Sequence, residues 1–117
     1  MSFAWSALRV SIIGASMLQA ATSAACPGQT QMEMNDCASE DYRRIDAQLA
    51  AVYARFDKTP ELKTAERAWI AYRDAECAYE AAGVKGGSMA PMVYSMCMTN
   101  LTKARIDVLK ANEAEGQ

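Results

Sequence analysis

Histidine is absent from this 117-residue sequence, and its absence restricts the chemistry that the chain can perform. Without an imidazole there is no histidine general base and no histidine to activate a serine or cysteine nucleophile. The zinc sites that combine cysteine with histidine are excluded for the same reason. We therefore expect no catalytic machinery, no bound metal and no cofactor.

Long apolar runs and dense positive charge are also missing. A transmembrane helix needs roughly 20 apolar residues, whereas the apolar run at residues 10–18 is interrupted by Gly14 and followed by Gln19. The 12 Lys and Arg residues are outnumbered by 14 Asp and Glu residues, and no basic patch stands out. We expect neither a stable membrane span nor a nucleic-acid partner.

The beginning of the chain has the composition of a secretory signal peptide. Arg9 supplies a positive charge, residues 10–18 form a short apolar segment, and small residues follow as far as Ala25. We therefore predict that residues 1–25 are removed and that residues 26–117 form one mature domain, located in the periplasm or secreted.

A lipoprotein signal is the alternative interpretation, because Cys26 directly follows the small residues. However, Ser23 stands where a lipobox usually has leucine. After the predicted signal the chain has 14 acidic and 11 basic residues, an excess of three negative charges. This mildly acidic balance is compatible with a basic partner.

The predicted mature domain contains four cysteines: Cys26, Cys37, Cys77 and Cys97. An even cysteine count in a small exported domain predicts two disulfides. The wide spacing, without a C-x-x-C pair, argues against a metal site. If three helices run up, down and up, then Cys37, Cys77 and Cys97 lie at a similar height. This arrangement favours Cys37–Cys77 with Cys26–Cys97, and all three connectivities remain open.

Helix-capping residues predict where the first two helices begin. Thr30 and Glu33 have the spacing of a capping box, in which each side chain satisfies a free backbone N–H. Thr59 precedes Pro60, which suits the first position of a helix because that N–H has no partner in any case. The fold class that we predict is all-α, a small bundle of about three helices joined by two disulfides.

The connection between the second and third helices contains several glycines. We predict that Gly83 ends the second helix in a left-handed conformation. Ser88 is predicted to cap the third helix, which tolerates Pro91 in its first turn.

Apolar residues recur at helical spacing in all three segments and predict the buried faces. On the first helix these residues are Met34, Ala38, Ile45, Leu49, Val52 and Phe56. On the second they are Leu62, Ala65, Trp69, Tyr72 and Tyr79, with Ile70 and Cys77 beside them. On the third they are Met89, Val93, Cys97, Leu101, Ala104 and Val108.

The segment at residues 65–77 combines aromatic and charged side chains. One interpretation places Trp69 and Tyr72 in a binding surface beside Arg73 and Asp74, since Trp, Tyr and Arg are frequent at interface hot spots. The other places both aromatics in the core, with the charges linking helices or facing water. We favour the core interpretation because the aromatics share the predicted buried face.

Four ordered segments resemble one known family. They are residues 30–38 (TQMEMNDCA), residues 68–77 (AWIAYRDAEC), residues 86–89 (GGSM) and residues 101–105 (LTKAR). Together they resemble the N-terminal domain of LprI-like lysozyme inhibitors over nearly the whole mature chain. The resemblance implies a bacterial envelope or secreted protein with a helical, disulfide-bridged fold, and it implies inhibition of lysozyme.

The partner implied by the resemblance is a c-type lysozyme, and the alternative is an envelope module that binds another protein. A protein that blocks a sugar-binding cleft lined with carboxylates would use a projecting turn with a basic or hydroxyl side chain. A plain helix connection explains the same glycines. The candidate binding residues are Lys85, Gly86, Gly87, Ser88 and Met89, together with Arg73 and Asp74.

Overall fold

The computed structural model describes Cys26 and residues 28–116. Helix α1 spans Gln31–Tyr53, α2 spans Pro60–Ala82 and α3 spans Ala90–Glu115. No strand occurs among the described residues, which confirms the predicted all-α bundle of three helices. The predicted signal peptide at residues 1–25 lies outside the described residues.

Both predicted helix starts are confirmed. The hydroxyl of Thr30 accepts a hydrogen bond from the Glu33 backbone N–H at 3.1 Å. In return, the Glu33 carboxylate accepts from the backbone N–H groups of Gln29 at 2.8 Å and Thr30 at 3.2 Å. At α2, the Thr59 hydroxyl accepts from the Leu62 N–H at 3.1 Å. These bonds satisfy donors that the first turn of a helix otherwise leaves free.

The capping box predicts that the start of α1 weakens on acidification. Hydrogen bonds from the Gln29 and Thr30 backbones hold the pKa of the Glu33 carboxyl below its ordinary value. This carboxylate therefore stabilises the folded chain above its unfolded-state pKa, and the contribution disappears as the pH falls through the lower folded-state pKa. An NMR titration should record the low pKa of Glu33 and loss of the Gln29 and Thr30 hydrogen bonds.

Two variants separate this effect from general acid sensitivity. Glu33→Gln should remove the pH dependence at the first turn, whereas Glu40→Gln, on an exposed site of the same helix, should leave it unchanged. An ordinary pKa for Glu33 in the folded protein would contradict the prediction.

Two predictions about the α2–α3 connection are wrong. Gly83 has a φ of −63° and is right-handed, because the chain continues in hydrogen-bonded turns. The left-handed residue is Gly86, with a φ of 82°. Ser88 does not cap α3: the N-cap position is Met89, and it makes no side-chain capping bond. The Ser88 carbonyl instead accepts a hydrogen bond from Asn35.

The helices run up, down and up. At one end, Gln31 of α1 reaches Met92 of α3, with 3.7 Å between Nε2 and Sδ. At the other, Arg55 after α1 pairs with Glu113 of α3 at 3.0 Å. Helix α3 packs against both of its neighbours, whereas no Cα atom of α1 lies within 8 Å of one in α2. Side chains join α1 to α2, among them Arg73 of α2 with Tyr42 and Asp46 of α1.

The buried face of α1 is largely as predicted. Ala38, Ile45, Leu49 and Val52 are buried, and three of them pack with Ile106 and Leu109 of α3. A second apolar cluster contains Cys77, Cys97 and Met98, with Tyr42, Tyr94 and Leu101 against it. The core therefore consists of two clusters that follow one another along the bundle, each with residues from all three helices.

The predicted buried face of α2 is only partly right. Cys77 is buried and Leu62 and Trp69 are half-buried. Tyr72 and Tyr79 are 55% and 75% exposed, and Ile70 and Ala65 are exposed as well. Two charged residues, Glu66 and Arg73, are buried in their place. Charged side chains can occupy a helix interface when their charges are paired and their stems pack.

The predicted face of α3 is only partly right. Cys97 is buried and Leu101 and Val93 are half-buried, but Met89, Ala104 and Val108 are exposed. The other buried residues of this helix are Met98, Thr102, Ile106 and Leu109. Because α3 contacts a helix on each side, a single apolar stripe does not describe it.

The two predicted disulfides are present, but the favoured pairing is wrong. Cys26 is bonded to Cys37 and Cys77 to Cys97, with Cα–Cα distances of 5.5 and 5.4 Å. A disulfide needs Cα atoms within about 7 Å. Since α1 and α2 do not approach so closely, Cys37 cannot reach Cys77, although the two lie at a similar height.

Candidate functional site

The connection between α2 and α3, residues 83–89, forms a compact turn at one end of the bundle, and we call it the apical turn. The backbone N–H of Gly87 bonds to the Val84 carbonyl at 3.0 Å, and the N–H of Lys85 bonds to the Ala82 carbonyl at 3.3 Å. Gly86 adopts a positive φ that a residue with a Cβ rarely tolerates, and this reverses the chain. The turn is therefore held by its own backbone.

The apical turn is also attached to α1. The side-chain amide of Asn35 donates a hydrogen bond to the Ser88 carbonyl at 3.0 Å. In the neighbouring turns of the same two helices, Gln31 reaches Met92. These contacts join the end of the turn to a helix distant in sequence, so the turn has little freedom to move relative to the bundle.

The side chains of the apical turn project into solvent. Lys85, Gly86, Gly87 and Ser88 are exposed, and Met89 is 44% exposed. No salt bridge in the described part of the chain involves Lys85. The turn thus presents a free ammonium group, a hydroxyl and a thioether on a fixed backbone.

Arg73 and Asp74, the other two candidate binding residues, are not part of this turn. Arg73 lies more than two turns before the end of α2, about 14 Å along the axis from Ala82. The Arg73 side chain is only 8% exposed, whereas that of Asp74 is 50% exposed. A partner that contacts the apical turn therefore has no access to the Arg73 guanidinium.

Arg73 joins all three helices. Its Nε donates to Asp74 at 3.0 Å, and its Nη1 lies 3.4 Å from the Thr102 hydroxyl of α3. The same nitrogen lies 3.6 Å from Asp46 of α1. Asp46 and Asp74 are both about half exposed, so water screens part of this attraction.

Aromatic rings enclose the Arg73 guanidinium. The guanidinium lies 5.6 Å from the ring centre of Tyr42 and 5.0 Å from that of Trp69. Burial raises the pKa of the Tyr42 hydroxyl, and the nearby positive charge of Arg73 acts in the opposite direction. This packing favours Arg73 as a structural residue that fills the space between α1 and α2.

A second buried ion pair lies beside Trp69. Arg105 of α3 donates through Nε and Nη2 to the same carboxylate oxygen of Glu66, at 3.0 and 2.8 Å. Both side chains are close to fully buried, with 13% and 10% exposure. The guanidinium of Arg105 lies 5.8 Å from the Trp69 ring, so this ring contacts two arginines.

The core interpretation of residues 65–77 is right for Trp69 and wrong for Tyr72. Trp69 packs against the core and the charges link helices, as the core interpretation states. Tyr72, however, points outward from the core and remains available to a partner. The missing signal was the spacing of Glu66, Arg73 and Cys77, which recur at 7 and 4 residues and share one helical face.

The four cysteines of the described residues are all in disulfides, so none of them offers a thiolate as a nucleophile or metal ligand. None of the described helices is long and apolar enough to cross a membrane. The described residues form a small, disulfide-bridged helical domain that exposes a cationic turn.

Comparison with known proteins identifies the family. The chain belongs to the lysozyme inhibitor LprI family, whose model matches residues 21–109. It is also 38% identical over 100 residues to an uncharacterised protein of Rhizobium meliloti (strain 1021), a match that covers 69% of this chain and 72% of that protein. No solved structure matches the chain.

Proposed function

We propose that this protein is an exported lysozyme inhibitor that acts by binding and has no catalytic activity of its own. The proposal includes removal of residues 1–25 and a mature domain at residues 26–117, located in the periplasm or outside the cell. The single observation that carries the binding mode is the apical turn, which presents the exposed Lys85 on a backbone fixed to α1. Family membership supports lysozyme as the target.

The chemistry of the target suits this turn. A glycosidase cleft contains two carboxyl groups on either side of the scissile bond. The Lys85 ammonium is a compact charge on a flexible stem and can reach such a carboxylate. Because the turn is already ordered, binding costs less conformational entropy than the ordering of a mobile loop would.

Net charge supports the encounter. The mature domain has three more acidic than basic residues, and c-type lysozymes are commonly basic. Opposite net charges accelerate association, and this acceleration decreases as salt shortens the screening length to about 8 Å at physiological strength. The inhibitor proposal therefore includes stronger inhibition at low salt.

The test is the loss of turbidity of a cell-wall suspension treated with a c-type lysozyme and increasing amounts of the oxidised domain. Lys85→Glu should raise the inhibition constant roughly tenfold or more, since it places a carboxylate against the carboxylates of the cleft. Lys63→Glu is the matched control, because Lys63 is exposed on α2 and the net charge changes equally. The control should inhibit at least as well as the wild-type domain, because its additional negative charge favours encounter with a basic lysozyme.

Two outcomes would contradict this proposal. If a several-fold molar excess of the wild-type domain leaves the lysozyme rate unchanged at low salt, the inhibitor function fails. If wild-type inhibition is strong but Lys85→Glu and Lys63→Glu behave alike, another surface makes the contact. Circular dichroism of each variant should match the wild type before the comparison is made.

A second candidate function is an envelope module that binds a protein other than lysozyme. The observation that favours it is the outer face of α2, where Tyr72 and Tyr79 are 55% and 75% exposed and lie two helical turns apart. Exposed aromatic residues are typical of protein interfaces. A Tyr72→Ala/Tyr79→Ala variant that loses a captured envelope protein, while lysozyme inhibition by the wild type is absent, would favour this function.

A further inference from the structure

A groove of about 510 Å³ runs between α1 and α3. Its walls come from these two helices and Cys26, and no residue of α2 lines it. The volume falls within the range of small-molecule sites, roughly 300–1,000 Å³. The groove is separate from the apical turn, which contributes none of its lining residues.

The lining of the groove changes from apolar to charged along its length. Because α1 and α3 run parallel, their lining residues follow the same order from one end to the other. The apolar end is formed by Met34, Met92 and Met96. The charged end is formed by Asp41, Arg44, Asn100 and Lys103. From residue 34 to 45 the α1 wall is about 16 Å long at 1.5 Å per residue.

The charged end has a net positive charge. Arg44 is paired with Asp41 at 2.6 Å. Lys103 is exposed, and no salt bridge among the described residues involves it. The Lys103 ammonium therefore has no carboxylate within 4 Å among the described residues, and it is available to an anion.

An unsatisfied hydroxyl lies beside the same end. Thr99 is one of the residues that line the groove. Its Oγ1 atom is buried and has no hydrogen-bond partner among the described residues. A buried hydroxyl without a partner costs free energy. Because solvent does not reach this oxygen, we assign it no contact with a ligand in the groove.

From these features we propose that the groove binds a free single-chain anionic amphiphile, such as a fatty-acid carboxylate. The acyl chain lies along the methionine end, where flexible thioether side chains adapt to its shape. The carboxylate lies at the other end, near the exposed side chains of Lys103 and Asn100. Met96, which is 52% exposed, loses exposure when the chain is bound. This binding does not depend on lysozyme inhibition, because the apical turn takes no part in it.

The probe is dodecanoate, titrated into the oxidised full domain by calorimetry below the concentration at which it forms micelles. The expected result is saturable binding at one site. Octanoate should bind at least about tenfold more weakly, since each methylene removed from water contributes to binding. Dodecyl maltoside, which has the same chain with a neutral head group, should also bind more weakly because it lacks the negative charge.

Two variants test the two ends of the groove. Lys103→Glu should weaken dodecanoate binding about fivefold or more through charge reversal. Met96→Glu should weaken it about tenfold or more by placing a charge on the acyl chain. Lys110→Glu, on the same helix outside the groove, and Val108→Glu, at a similarly exposed apolar site, are the matched controls and should bind as the wild type does.

The proposal is overturned if dodecanoate shows no saturable binding, or if the groove variants and their controls behave alike while their circular dichroism is unchanged. Binding to dodecanoate-containing vesicles without binding to free dodecanoate would assign the site to a lipid surface and would also overturn it. Binding of a partner helix in the groove that dodecanoate does not displace would likewise overturn the proposal.

Discussion

Replacing both Cys77 and Cys97 by alanine is expected to lower the free energy of unfolding by about 3 kcal/mol. The bridge closes a loop of 20 residues and so restricts the unfolded chain. In addition, the two cysteines are 0% and 4% exposed and belong to an apolar cluster, so truncation to alanine also removes packing. The loss of this bridge should therefore be among the largest reductions in stability that one altered contact causes in a domain of this size.

Urea denaturation followed by circular dichroism measures this loss. The matched variant is Cys26→Ala/Cys37→Ala, which opens a loop of 11 residues at the edge of the domain, where both cysteines are only half-buried. Its loss should be smaller, because the shorter loop contributes about 0.5 kcal/mol less and the half-buried cysteines lose less packing. An equal or larger loss in the Cys26/Cys37 variant would show that the Cys77–Cys97 bridge is not the more stabilising of the two.

Removal of one partner of the buried ion pair is expected to have a similarly large effect. Glu66→Ala leaves the Arg105 guanidinium close to fully buried without its carboxylate. Breaking a buried pair in this way costs roughly 3 kcal/mol, because the remaining charge is desolvated and unpaired. The neighbouring Trp69 ring compensates only in part, since its contact with Arg105 is already made in the wild type.

An exposed ion pair in the same protein provides the control. Arg55 and Glu113 also join two parts of the bundle, but their side chains are 52% and 33% exposed. Glu113→Ala should therefore cost less than about 1 kcal/mol. A double variant, Glu66→Met/Arg105→Met, should recover much of the stability lost in Glu66→Ala. Equal losses for Glu66→Ala and Glu113→Ala would contradict the role assigned to burial.

The parts of the fold that could be predicted from sequence depend on local interactions. The capping box at Thr30 and Glu33 and the pair Thr59–Pro60 act within one helical turn, so residue identity and spacing are sufficient to find them. The periodicity of Ile45, Leu49 and Val52 was also sufficient, because α1 buries an apolar face against a single neighbour.

The parts that could not be predicted depend on how the helices lie relative to one another. A periodicity argument gives aromatic residues precedence over charged ones. It therefore placed Tyr72 in the core and left open whether Arg73 links helices or faces water. In the folded chain Arg73 fits between Tyr42 and Trp69, and its charge is paired there. That fit requires α1, which lies far away in sequence.

The disulfide pairing illustrates the same limit. The height of a cysteine along the bundle can be inferred from the lengths of the helices. Which helices lie side by side cannot be inferred in this way. The structure places α3 next to both other helices and keeps α1 from α2, so Cys77 pairs with Cys97. The apical turn was predicted from its glycines, whereas its attachment through Asn35 has no sequence signal of its own.

The disulfide pattern also affects how the protein matures. Each cysteine is bonded to its nearest cysteine in the sequence: the first with the second, and the third with the fourth. Cys26 and Cys37 both precede Cys77 in the sequence, so neither native bond needs a cysteine from the other pair. Oxidation of the thiols in sequence order would give both native bonds without exchange between disulfides.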